Sequence, residues 1–210
     1  MPSLPWGIIV LMILAIILYL QGFQKALTVW RLSLDMALII ILLLITANFL
    51  TIPFNLGNVP VNLHVGSLLL FVFAVLLWYF QGGRARLLWL AAGIGIAAAV
   101  LVLNVFSQSY WTAVWLDTYW LLPLLAAALT AILTRNMSGV VFITVFSLLV
   151  GQAATSFYYN LTAGTWLALG SKNTFDMAVL GAVLSGLLVA IAQLLAMRRF
   201  VYRQKHLNYK

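Results

Sequence analysis

The chain is built from seven apolar runs, and its charged side chains fall between them or after the last. This pattern constrains the fold more than any other feature. A helix of about 20 apolar residues, rising ~1.5 Å per residue, matches a hydrocarbon core of about 30 Å. The runs cover residues 6–20, 36–54, 65–80, 87–106, 118–134, 140–159 and 177–197. With 65% hydrophobic and 7% charged residues among 210, and a mean hydropathy of +1.13, the composition is that of a membrane protein. The expected fold is therefore all-α. It is one polytopic transmembrane bundle of about seven helices over residues 1–210, ending in a short basic tail at 198–210.

The breaks between runs have recognisable chemistry. Residues 1–5 hold no Lys or Arg, so the first run reads as a span and not as a secretory signal. Pro53 and the cluster Asn55, Gly57, Asn58 and Pro60 stop the second run, and Gly82, Gly83, Arg84 and Arg86 close the third. Between the fourth and fifth, Tyr110, Trp111, Trp115, Tyr119 and Trp120 form an aromatic connection suited to the headgroup layer. Pro123, expected in the first turns of helix five, removes an amide that has no helical partner there.

Charge orients the bundle. With the N-terminus outside, the inner segments carry ten cations: Lys25, Arg31, Arg84, Arg86, Arg135, Arg198, Arg199, Arg203, Lys205 and Lys210. The outer segments carry only Lys172. The asymmetry predicts an outer N-terminus, a cytoplasmic C-terminus and an odd number of spans. It also accounts for the net charge of +8 without nucleic acid, since the cations form no long basic block with interleaved stacking aromatics. The lipid bilayer is the expected partner, and no cofactor is expected.

Several chemistries lack their residues. The chain has no cysteine, which removes disulfides, thiolate metal sites and Cys nucleophiles. The last run has no lysine for a retinal Schiff base. The three aspartates sit near span ends, unlike the buried pair of an aspartyl protease. Ser171 follows Gly170, and His64 exists, but both fall in connections without a nucleophile turn. The expectation is a protein without enzymatic activity.

Polar residues inside spans are costly and so informative. Asn48, Asn104 and Gln152 fall in the outer halves of helices two, four and six, on the side of His64, Asp117 and Asp176. Asn48, His64, Asn104, Asp117 and Gln152 are thus candidates for an outward polar cavity, as a solute transporter or receptor would need. The simpler expectation is that the amides bond between helices. His64 alone at the outer face is expected to be solvated, and Asp117 and Asp176 are expected to favour helix N-termini as caps. Gly181 with Ser185, Ala182 with Gly186, Gly93 with Ala97, and Gly95 with Ala99 are small-residue pairs suited to close packing within the bundle.

The segment Val61, Asn62, Leu63, His64, Val65, Gly66, Ser67, where a short outer turn enters helix three, resembles the YphA-type membrane proteins of spore-forming Firmicutes. The order of short spans, the aromatics Trp111, Trp115 and Trp120 before helix five, and the basic C-terminal end extend the resemblance over most of the chain. It implies a multi-pass protein of a bacterial plasma membrane with a part in the cell or spore envelope, acting through membrane or envelope proteins. It brings no catalytic or binding residues with it.

Overall fold

The computed structural model describes residues 6–19, 33–80, 83–110 and 118–207. Seven helices stand among them: α1 (Trp6–Tyr19), α2 (Leu34–Ala47), α3 (Val65–Tyr79), α4 (Arg84–Tyr110), α5 (Thr118–Leu133), α6 (Met137–Ala163) and α7 (Lys172–Leu207). Three are long and apolar enough to cross a membrane, within Arg84–Ser107, Met137–Ala163 and Lys172–Ala196. The other four have 14 to 16 residues. At ~1.5 Å per residue they reach about 21–24 Å, short of a ~30 Å hydrocarbon core.

The expectation of an all-α chain is corrected by a small sheet in the order β1-β2-β3, with β1 at Thr51–Leu56, β2 at Val59–His64 and β3 at Leu167–Leu169. β1 and β2 form an antiparallel hairpin closed by Gly57 and Asn58, with Gly57 at φ +62°. β3 adds to β2 in parallel, pairing Val61 with Leu167. The second apolar run therefore does not continue as helix to residue 54: α2 ends at Ala47 and Asn48 caps it. Thr51, Ile52 and Pro53 favour extended backbone, and Pro53 has no amide for a helix. The Val65 amide donates to Leu50 O at 3.1 Å. Counting outward from that bond in steps of two, Pro53 and Pro60 both fall at positions that need no amide within the hairpin.

Helix ends follow local chemistry. The Ser33 side chain accepts from the Met36 amide at the start of α2, and Asn136 accepts from Ser138 N at 3.0 Å at the start of α6. Gly164, at φ +63°, ends α6 and donates to Asn160 O. α7 begins five residues earlier than expected, at Lys172, with the Ser171 hydroxyl accepting from Thr174 N at 3.1 Å. Pro123 is the sixth residue of α5 and so lies in its first turns as expected, but beyond the opening residues whose amides have no helical partner. It removes the amide that would reach back to residue 119.

The core lies where α6 meets α3, α4, α5 and α7. Phe142, Ile143 and Leu148 of α6 are buried there, and Phe146 stacks on Phe71 at 6.0 Å. Glycines set the closest approaches. A Cβ on Gly151 would meet Val100 Cγ1 at 2.7 Å and Ala97 O at 2.9 Å, and one on Gly181 would meet Leu148 and Thr144. Gly93 lies against Phe146, whereas Gly95 has nothing within 4 Å, so only one of the two glycine pairs on α4 faces a neighbour through its glycine. Large apolar side chains such as Leu87, Ile132 and Leu194 are exposed on the perimeter.

Candidate functional site

One polar cluster forms where α2, the hairpin, α3 and the start of α7 meet. His64 ends β2 and is the N-cap of α3. It is 1% exposed, which corrects the expectation of a solvated histidine. Its Nδ1 accepts from the Ser67 amide at 3.2 Å, so the ring proton sits on Nε2 and is donated to Asn48 O at 3.0 Å. The imidazole thus joins the end of α2 to the start of α3. Burial holds its pKa below the ordinary histidine value; the bond to the Asn48 carbonyl pulls the other way, and the charge of Lys172 adds to the lowering.

Two glycines admit this geometry. A Cβ on Gly66 would lie 3.0 Å from Asn48 Cα, and Gly170, at φ +81°, would place one 2.5 Å from Ser67 Cβ. Ser67 Oγ lies 3.0 Å from His64 Nδ1 and donates to Ser171 O at 3.4 Å. The sequence offers Ser171 as the serine to pair with His64, but the serine beside the ring is Ser67, and the Ser171 hydroxyl lies against Thr174. The missed signal was the three-residue spacing from His64 to Ser67 at the entrance to a helix, the spacing of a capping pair. Both ring nitrogens are engaged in holding backbone.

The remaining candidates occupy other contacts. Asn104 Nδ2 donates to Thr155 Oγ1 at 3.3 Å, linking α4 to α6, and Gln152 Nε2 meets Met177 Sδ at 3.6 Å, linking α6 to α7. Asp117 lies outside the described residues. Asn48 joins His64 through its backbone carbonyl, while its side chain is 2% exposed and its Oδ1 has no hydrogen-bond partner. Of the four among the described residues, the structure brings together Asn48 and His64 by direct contact.

Asp176 is not the helix cap that was expected. It is the fifth residue of α7, 2% exposed, and accepts from the Gly7 amide at 3.0 Å and the Tyr119 hydroxyl at 3.1 Å. Gly7 is required there, because a Cβ would fall 2.3 Å from Asp176 Oδ1. One carboxylate thereby ties the first turns of α1, α5 and α7, and the rings of Trp6 and Trp120 meet beside it at 5.5 Å. Among the described residues, no group of three His, Cys, Asp or Glu gathers to hold a metal.

Single cysteines in this Cys-free chain test which polar positions meet water. Asn48→Cys and Asn104→Cys are expected to resist a membrane-impermeant maleimide in intact cells, while Asn58→Cys on the exposed hairpin turn reacts. Equal labelling at 48 and 58 would show that water reaches the cluster.

No protein-family model, curated protein or solved structure matches the chain. Its class therefore rests on its own features: a predominantly helical protein with three helices of membrane-crossing length and a small sheet at one end of them.

Proposed function

We propose that the chain is a seven-span protein of a bacterial plasma membrane, N-terminus outside and C-terminus inside, that serves the cell or spore envelope through protein partners. It performs no chemistry of its own in this reading. One observation carries the proposal: polar side chains within the helices are engaged in joining them. Besides Asn104 with Thr155, Thr130 Oγ1 lies 2.9 Å from Thr144 Oγ1 between α5 and α6, and Asp176 ties three helix starts. The division of the chain's charges supports the orientation, and the resemblance to YphA-type proteins supports the envelope setting.

A second reading, a small-solute transporter or receptor, draws support from the unpartnered Asn48 Oδ1, a buried acceptor of the kind a ligand could satisfy. Two experiments separate and test these readings. Reporter fusions after Arg86, Asn136 and Lys210 are expected to read cytoplasm, and those after Asn58, Asp117 and Lys172 the outer side; reversal at any two overturns the orientation. Solute uptake into proteoliposomes that is lost on Asn104→Leu or Gln152→Leu would replace the envelope reading with the transporter.

A further inference from the structure

A second feature lies away from the polar cluster. A cavity of about 240 Å³ runs between α1, α2, α3, α6 and α7, and every residue lining it is Leu, Ile, Val, Ala, Phe, Met or Gly. Leu18, Ile41, Phe73, Val141, Val183 and Ala190 mark its walls. No lining side chain carries a nitrogen or oxygen, so water entering it finds no side-chain partner. Along α7 the lining runs from Val179 to Ala190, about 16 Å at 1.5 Å per residue. This shape and chemistry suit a hydrocarbon chain.

The surrounding charge identifies what the chain belongs to. The cavity reaches Met137, the first residue of α6, at the end of the bundle where α1 finishes and α2 begins. Arg135 precedes α6 at that end, and Trp89 packed on Gly139 brings the start of α4, with Arg84 and Arg86, to the same level. Beyond Ala190, helix α7 carries Arg198, Arg199, Arg203 and Lys205. Against these cations stands Asp35 in the first turn of α2. We propose that the cavity holds one acyl chain of an anionic phospholipid, whose headgroup lies at this basic end. In the topology proposed above, on which the inference rests, that end faces the cytoplasmic leaflet, where anionic lipid attracts cations.

The test uses the full chain in phospholipid nanodiscs containing a trace of phosphatidylglycerol with a diazirine on its acyl chain. Crosslinks mapped by mass spectrometry are expected at Ile41, Val183 or Ala190. They should exceed those from a phosphatidylcholine of the same chain by about fivefold, the effect of roughly one cation beside the headgroup. Val183→Phe fills the space and should abolish these crosslinks while those at the exposed Leu194 and Leu87 remain. Gly186→Leu is a second filling variant, because a Cβ there meets only Met137 Sδ, at 3.6 Å. Crosslinks at cavity residues no stronger than on the perimeter, equal for both headgroups, or unchanged in both variants, would overturn the proposal by reducing the lipid to an annular one. Displacement by equimolar free palmitate would assign the cavity to a fatty acid and also overturn it. Failure of the chain to insert at all would remove the membrane reading itself, a result distinct from insertion without these crosslinks.

Discussion

Replacing Gly151 with leucine is expected to break the contact between α4 and α6. The added Cβ meets Val100 Cγ1 at 2.7 Å and, more seriously, the backbone oxygen of Ala97 at 2.9 Å. A side chain can rotate aside, but a carbonyl inside a helix moves only with the helix. Overpacking of this kind costs about 1–3 kcal/mol, and contact with backbone puts Gly151→Leu at the upper end. For a chain of this size that is a fall in melting temperature on the order of 10 °C. Gly95→Leu is the matched control, since nothing lies within 4 Å of its Cβ, and its melting temperature should stay within about 2 °C of the parent. Equal effects of the two substitutions would mean that α4 and α6 do not cross as described.

Acidification is expected to weaken the fold through His64. Because burial lowers the folded pKa of this histidine, the unfolded chain takes up its proton first as the pH falls. The stabilising contribution is complete above the unfolded value of about 6.5 and declines below it, until the pH passes the folded value. Protonation would also turn Nδ1 into a donor facing the Ser67 amide. His64→Leu leaves the Asn48 carbonyl and the Ser67 amide without their partner, a loss of about 2–4 kcal/mol for two buried groups. Thermal unfolding between pH 7 and 5, in a His206→Gln background that removes the other histidine, should show a slope that disappears in His64→Leu. A flat profile in the parent, or an unchanged slope in the variant, would exclude His64 as the titrating group.

The helices were legible in the sequence because apolar runs interrupted by Gly, Pro and charge leave little else to build. Their ends were less so. The run through residue 54 looked continuous because hydrophobicity does not distinguish Leu44 in a helix from Phe54 in a strand. Apolar residues at 52, 54 and 56, then at 59, 61 and 63, do alternate about Gly57 and Asn58, which is a hairpin signature. The prolines and asparagines among them read as an irregular turn instead. β3 was beyond reach, since three residues have no period and its partner lies more than a hundred positions away. The site was legible as residue types rather than as contacts. Asn104 and Gln152 stood out as polar groups in apolar runs, but Thr155 and Met177, which receive them, have nothing unusual about their local sequence.

The carboxylate that joins Gly7 to Asp176 spans 169 positions, almost the whole chain. During synthesis the first helix is made long before residue 176 exists, and Tyr119 also precedes its acceptor. α7 lies against α1, α3, α5 and α6, so the final helix supplies contacts that four earlier ones await. The seam that these helices share is therefore complete only once α7 has been made. A ribosome stalled after α6 would hold six helices, four of which lack the surface that α7 gives them.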